Sequence, residues 1–262
     1  MHFLQNRTFG IALMLSLPLL YTCLRVEIPQ SFDSSNDMPV QLSFRPKPDV
    51  RTTLIHFKKE SNFTYTPYVD DVDGLLQHYV NEIPTLNEST VDCSSVTGYR
   101  NQNEWDTPCY FDIFRELGDN CLKQQLYGYE DGQPCILLKM KEIFDWLPEP
   151  FDNGTLPDDL KYENGNSLSL WQKYFVTVKC EGENPADKDN VGDIFYHPSN
   201  GFHFKYFPYR NQEMYRSPLV FVRFDNPMPA QLFMITCKIY AKNIEYNVLN
   251  KSGFVHFELL VD

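Results

Sequence analysis

The chain has 262 residues, of which 42% are hydrophobic and 15% aromatic, and its formal net charge is −12. This length suits one large domain or two small ones, and the acidic balance argues against nucleic acid or anionic lipid as a partner. The 16 tyrosines and 20 phenylalanines favour a β-rich core over a helical bundle.

An uncharged apolar run covers residues 9–24 and lies between Arg7 and Arg25. Two interpretations of this run compete: a membrane anchor and a cleaved signal peptide. The small residues that precede a cleavage site are poorly placed around Tyr21, which favours the anchor. The sequence then divides into a cytoplasmic stub (residues 1–8), a short transmembrane helix in the lipid bilayer (residues 9–24) and an extracellular domain (residues 25–262).

The segment after the apolar run predicts one short strand and one helix. Residues 42–46 predict an extended piece that ends at a proline. Apolar residues then recur at helical spacing and predict an amphipathic helix over residues 68–82. Asp70, Asp71 and Asp73 would lie in its first turn, where negative charge offsets the helix dipole. Their spacing does not fit a calcium loop.

Six cysteines follow the apolar run, at Cys93, Cys109, Cys121, Cys135, Cys180 and Cys237. None of their spacings, and no pair of histidines, fits a zinc site, so we expect no metal. An even set behind an apolar run indicates three disulfides in an oxidising compartment, although the residues alone leave the pairing open. We expect Phe111, Phe114 and Leu117 to pack inward beneath the bridges.

Acceptor sequences for N-glycosylation indicate the same compartment. They begin at Asn62, Asn87, Asn153 and Asn250. All four lie on the cysteine-bearing side of the apolar run, so we expect them to meet the glycosylation machinery with the disulfide-forming domain.

The C-terminal half predicts a series of strands. Gly132 and Pro134 mark a turn that precedes a short strand at residues 136–140, and residues 147–167 predict a loop. Alternating or apolar segments predict further strands at residues 175–180, 219–224, 232–237 and 254–261. Short strands separated by irregular turns are typical of an antiparallel sandwich.

One segment carries a family resemblance. From Cys180 to Tyr196 the chain reads C-x-G, an acidic loop, then V-G-x-I-x-Y, and it continues through Gly201 and Phe202 to an aromatic run, Tyr206, Phe207, Pro208 and Tyr209. This order resembles the beta subunit of the sodium/potassium-transporting ATPase and its proton/potassium relatives, in an invertebrate-like form that is shortened at the N-terminus. The stretches 127–139 and 235–244 also resemble that family.

The resemblance implies a fold that is mainly β. It consists of an immunoglobulin-like antiparallel β-sandwich ectodomain with an added helix and disulfide-rich loops, preceded by one short N-terminal transmembrane helix. It also implies that neighbouring cysteines pair in order, as Cys93–Cys109, Cys121–Cys135 and Cys180–Cys237.

The function implied by the resemblance is that of a non-catalytic subunit. Such a subunit assists the folding, membrane delivery and ion-affinity tuning of a catalytic alpha subunit in the plasma membrane, as a single-pass type II protein. The chain contains none of the common nucleotide, hydrolase or zinc-protease motifs, and it lacks the D-K-T-G-T phosphorylation sequence of pumping subunits. We therefore expect neither enzymatic activity nor a cofactor. A secreted or anchored adhesion-type glycoprotein without a pump role is the alternative.

The aromatic run has two interpretations. Three aromatic side chains around a proline could form a packed turn of the sandwich. They could also form a rigid surface of the kind that protein interfaces use. The resemblance favours the second interpretation, because the matching run of the family contacts the extracellular face of the alpha subunit. Tyr206, Phe207, Pro208 and Tyr209 are therefore the predicted interface.

Overall fold

The computed structural model describes residues 38–81, 89–152, 155–161, 173–198 and 201–262. The predicted stub and the predicted transmembrane helix lie outside these residues. Within the described ranges, no helix combines the length and the apolar character needed to cross a membrane.

The described residues form nine strands, four α-helices and three short 3₁₀ helices. The strands are β1 (Leu42–Arg45), β2 (Leu54–Phe57), β3 (Cys135–Met140), β4 (Phe175–Gly182), β5 (Asp193–His197), β6 (Phe202–His203), β7 (Leu219–Asp225), β8 (Leu232–Tyr240) and β9 (Phe254–Val261). The α-helices are α1 (Asn62–Asn81), α2 (Ile113–Glu116), α3 (Asp158–Lys161) and α4 (Pro185–Asn190). The 3₁₀ helices are Gln102–Glu104, Lys123–Gly128 and Phe204–Tyr206.

The strands form two sheets. One has the order β1-β3-β7-β5 and the other the order β2-β9-β8-β4-β6. The prediction of a mainly β protein is confirmed. The prediction of purely antiparallel sheets is wrong for β2, which pairs in parallel with β9, so that Leu54 lies opposite Glu258. The parallel pair arises because residues 46–53 carry the chain from one sheet to the other and do not form a hairpin.

The two sheets pack face to face over aromatic side chains. Phe257 of β9 lies 5.0 Å from Phe44 of β1 and 6.0 Å from Phe224 of β7, measured between ring centroids. All three side chains are buried. Burial of one such side chain stabilises the fold by about 1.5–3 kcal/mol, so these contacts across the sheets are a main source of the sandwich's stability.

Helix α1 covers one side of the sandwich. Its buried residues recur every three or four positions, at Tyr65, Val69, Val72, Leu76 and Tyr79. This spacing places them on one helix face, which packs against the core. The helix begins six residues before the predicted start and continues across Pro67 without a break. The apolar stripe explains this extension, because it already includes Tyr65.

The predicted start of this helix is therefore wrong. The helix begins at Asn62, so Asp70, Asp71 and Asp73 lie in its body and not in its first turn. There they make specific contacts. Arg45 forms an ion pair with Asp71 at 3.1 Å, and Lys123 forms one with Asp73 at 2.7 Å.

The cysteine-rich layer between α1 and β3 packs largely as expected. Phe111 and Leu117 are buried beneath the bridges. Phe114 is not, since 65% of it is exposed. The reason is local: α2 is a single short turn, and its inward face is already filled by Ile113 and Leu117.

Candidate functional site

The chain enters the sandwich at one end, which we call the proximal end. The amide of Gly253, just before β9, donates to the carbonyl of Val40, just before β1, at 2.8 Å. In the other sheet, Leu42 at the start of β1 lies opposite Met140 at the end of β3. The starts of β1 and β9 and the ends of β3 and β8 therefore meet at the proximal end. The opposite end, where β9 finishes, is the distal end.

The aromatic run lies at the proximal end. Tyr209 forms a parallel bridge with Phe144, in the loop that follows β3. The amide of Asp145 donates to the carbonyl of Tyr209 at 2.8 Å. These backbone contacts fix the run against the 143–146 segment.

Most of the aromatic run belongs to the core. Tyr206 and Phe207 are only 3% and 6% exposed, and Pro208 is buried as well. The Tyr206 ring packs edge-on against Phe111 at 5.1 Å, and the Phe207 ring packs edge-on against Trp146 at 5.5 Å. Tyr209 is half-buried and is the one member of the run with an accessible face. A contact of all four residues with a partner stays a prediction.

A crevice opens beside Tyr209, which we call the aromatic groove. It is lined chiefly by Met140, Ile143, Trp146, Phe207, Tyr209 and Tyr215. The rings of Tyr209 and Tyr215 lie 5.0 Å apart. The cavity volume of the groove is only about 10 Å³, far below the ~300–1,000 Å³ of typical small-molecule pockets. The groove is therefore a shallow apolar surface that a partner protein could cover, and it does not enclose a free ligand.

Charged groups form the rim of the groove. The guanidinium of Arg210 pairs with Asp145 at 2.6 Å and lies over the ring of Trp105 at 4.8 Å. The Ser217 hydroxyl donates to Glu142 at 2.8 Å, and Glu142 also pairs with Lys139 at 3.3 Å. The polar groups beside the apolar floor are therefore paired within the domain.

The hydroxyls of Tyr215 and Tyr79 stay protonated. Burial raises the pKa of Tyr215, and nearby Glu142 adds to that effect. Burial likewise raises the pKa of Tyr79 to a value far above neutrality, and its hydroxyl donates to the Ser217 carbonyl at 2.8 Å. Tyr215 therefore presents a neutral hydroxyl and an apolar ring to the groove.

The six cysteines form three bridges. The pairs are Cys93–Cys109, Cys121–Cys135 and Cys180–Cys237, the same pairs that the resemblance implied. The third joins β4 to β8, whose residues Cys180 and Cys237 lie opposite each other in the sheet.

The glycosylation acceptors fall in different places. Asn62 is exposed at the start of α1, shortly after β2 finishes at the distal end. Asn250 is exposed in the turn between β8 and β9, at the proximal end. Asn87 and Asn153 lie outside the described residues.

Sequence reasoning missed most of the groove. Met140, Ile143, Trp146 and Tyr215 belong to segments that were predicted as a strand end or received no role. The available signal was the density of aromatic residues at positions 144, 146, 209 and 215, but it spans two distant loops.

In the part of the chain that the structure describes, no three His, Cys, Asp or Glu side chains are placed to hold a metal ion.

A two-sheet domain with three disulfides and an aromatic groove is typical of an extracellular domain that binds another protein. Comparison with known proteins is more specific. The sequence model of the family described as "Sodium / potassium ATPase beta chain" matches residues 9–257. The chain therefore belongs to this beta-chain family.

Individual relatives include several from invertebrates. The chain is 31% identical over 214 residues to the probable sodium/potassium-transporting ATPase subunit beta-3 of Caenorhabditis briggsae, covering 80% of this chain and 62% of that protein. It is 32% identical over 231 residues to subunit beta-2 of Drosophila melanogaster, covering 84% and 70%. It is 41% identical over 151 residues to Drosophila subunit beta-1, covering 56% and 48%. The chain thus spans between about half and 70% of the length of these relatives.

Proposed function

We propose that the chain is the non-catalytic beta subunit of a sodium/potassium-transporting P-type ATPase. It folds with the catalytic alpha subunit, accompanies it to the plasma membrane and tunes its ion affinity. Family membership supports the beta-subunit role. The aromatic groove at the proximal end is the observation that supports binding as its mode of action.

The groove is suited to docking because it is rigid and apolar. Phe144, at its edge, is 57% exposed, and Tyr209 is partly exposed. Both are held by backbone pairing to each other, so little conformational entropy is lost when a partner covers them. Aromatic anchors of this kind contribute on the order of 2 kcal/mol each at protein interfaces.

The proposed topology brings the groove near a membrane partner. Residues 9–24 would anchor the chain as a type II protein, with residue 25 onward outside the cell. Residues 25–37 can span at most about 50 Å even when fully extended. The described domain begins at Met38 at the proximal end, so the groove would lie within reach of the extracellular loops of an alpha subunit. Asn62, at the distal end, would carry a glycan away from that contact.

Co-purification from a native membrane tests the proposal. A tagged wild-type chain should bring down a P-type ATPase alpha chain. A variant with both Tyr209→Ala and Phe144→Ala loses two anchors of about 2 kcal/mol each, so it should bind the alpha chain roughly several hundred-fold more weakly and bring down much less of it. Phe63→Ala is the matched control, because Phe63 is an exposed aromatic residue (86%) that lies near the distal end, away from the groove.

The outcomes separate the claims. A wild-type chain that brings down no alpha chain contradicts the beta-subunit role. A groove variant that co-purifies as well as Phe63→Ala contradicts the docking site alone. Carbonate extraction with N-terminal sequencing checks the anchor. A soluble product that starts near residue 24 would support the alternative, a secreted adhesion-type glycoprotein.

A further inference from the structure

An apolar tip projects from the proximal end. Asn247 and Ser252 exchange two backbone hydrogen bonds, of 3.3 and 3.0 Å, and close a four-residue turn between β8 and β9. Two adjacent members of this turn, Val248 and Leu249, are 80% and 96% exposed. We call these two residues the apolar tip. No role in the groove or in the core accounts for them.

The tip is held rigidly. The Asn247 side chain accepts from the amide of Leu249 at 2.9 Å, and the Asn250 side chain accepts from the amide of Ser252 at 3.1 Å. The Gln41 side chain donates to the carbonyl of Asn250 at 2.9 Å, which ties the turn to β1. The exposure of two aliphatic side chains is therefore built into the turn, and their contact with an apolar phase costs little ordering entropy.

The surroundings of the tip match the edge of a bilayer. Met38, at the start of the described domain, is 68% exposed at the same end. The ammonium of Lys141 lies 3.4 Å from Gln41, and that of Lys238 lies over the ring of Tyr246. Lys251 lies two residues after Leu249, and Glu245 is the acidic side chain of this loop. Lysine and tyrosine side chains around an aliphatic pair are typical of segments that lie at a membrane–water interface.

We propose that Val248 and Leu249 insert into the interfacial region of the outer leaflet. The inference rests on the anchored topology of the proposed function. Two aliphatic side chains bind lipid weakly on their own. A tether no longer than residues 25–37 makes the insertion intramolecular, so a weak contact becomes populated. The two aliphatic side chains offer no polar group to a protein partner, so an apolar phase suits them best. Phosphatidylcholine is the chosen lipid because a neutral surface does not repel a chain whose net charge is −12.

The proposal also predicts that Asn250 is not glycosylated. This acceptor follows Leu249 directly in the same turn. An N-linked glycan is bulky and hydrated, so the turn cannot carry a glycan and also insert into lipid. Asn250 is therefore unoccupied in the membrane-bound protein.

Tryptophan fluorescence tests the insertion. The full chain carrying Leu249→Trp is reconstituted into phosphatidylcholine vesicles without an alpha chain, and the emission of the wild-type chain is subtracted. Lipids brominated near the headgroup end of the acyl chain should quench the new tryptophan and water should be excluded from it, which shifts its emission to the blue. Met228→Trp is the control, because Met228 is 48% exposed in the distal turn between β7 and β8.

The possible results have separate meanings. Equal quenching of the two variants overturns the insertion, and so does a glycan found on Asn250 by peptide mapping of the membrane-bound chain. Quenching of Leu249→Trp that disappears when an alpha chain is added assigns the tip to a protein contact and also overturns it. A wild-type chain that does not remain with the vesicles contradicts the anchored topology itself.

Discussion

Substitution of Tyr206 by alanine should affect a different property of the protein from substitution of Tyr209, although the two residues are three positions apart in one aromatic run. Tyr206 is 3% exposed and packs on Phe111, with the ammonium of Lys205 over its ring at 5.0 Å. Tyr209 is half-buried and contacts mainly Tyr215. We therefore expect the first substitution to affect folding and the second to affect binding.

The magnitudes follow from burial. A buried tyrosine removes about 150–200 Å² from water, which at about 25 cal/mol per Å² corresponds to roughly 4 kcal/mol. Large-to-small substitutions of buried aromatic residues cost a similar ~3–5 kcal/mol. Tyr206→Ala should lower the free energy of unfolding by this amount. Tyr209→Ala removes about one aromatic pair, so it should cost roughly 1 kcal/mol.

Denaturant unfolding of the oxidised protein and co-purification of the alpha chain, measured on the same variants, check this reasoning. Tyr206→Phe is the matched control, because it keeps the ring and should retain most of the stability. Tyr209→Ala should unfold close to the wild-type midpoint and bring down less alpha chain. If Tyr206→Ala unfolds at the wild-type midpoint, the residue is not part of the core and the separation of the aromatic run into core and surface is wrong.

Three further predictions concern stability and modification. Removal of the Cys180–Cys237 bridge by a double change to serine opens a loop of 57 residues and should cost about 4 kcal/mol, measured by denaturant unfolding. Burial alone would lower the pKa of His256, but hydrogen bonds with Glu258 and Glu183 outweigh it and raise that pKa. Protonated His256 stabilises the folded state, and this contribution is complete below the usual pKa of 6.5 and is lost as the pH rises through the raised pKa. The free energy of unfolding should therefore fall more for wild type than for His256→Gln between about pH 6 and pH 8. An equal change in the free energy of unfolding for wild type and His256→Gln between the two pH values would contradict this. Asn62→Gln should remove one glycan and increase electrophoretic mobility, whereas an unchanged mobility would show that this acceptor is not used.

Six of the nine strands could be predicted because their signals are local, whereas β2, β5 and β6 received no prediction. Residues 254–261 alternate in sequence, and β9 has these same bounds. The apolar run at 232–237 likewise became most of β8. Where one face of a strand is buried and the other is wet, the period of two in the sequence is sufficient to place it.

The start of α1 could not be predicted from the same kind of signal. Pro67 and the preceding polar stretch indicated a break, but Tyr65 buries its ring beside Phe57, with 6.4 Å between the centroids. Tertiary packing therefore extends the helix past a residue that local propensity disfavours. The parallel pairing of β2 is a similar case, since it depends on where β9 lies and not on the sequence of β2.

The aromatic groove could not be predicted from the sequence, because its residues come from loops that are far apart along the chain. Trp146 and Tyr215 come from different connections, and each has ordinary local surroundings. The aromatic run drew attention through its composition, yet three of its four residues are buried. Composition indicated a cluster that matters, but only the packing distinguishes the residues that support the site from the residue that faces outward.

This division makes folding and partner binding depend on one another. Phe207 is buried in the core and also forms part of the groove floor, edge-on to Trp146. A domain that has not packed Phe207 has no groove to offer. By linkage, a partner that binds only the folded domain stabilises it, by about 2.7 kcal/mol when the partner is present at 100 times its dissociation constant. In the proposed function, a chain that folds together with its partner needs no separate signal that folding is complete, because the proposed binding surface exists only when the core beneath it does.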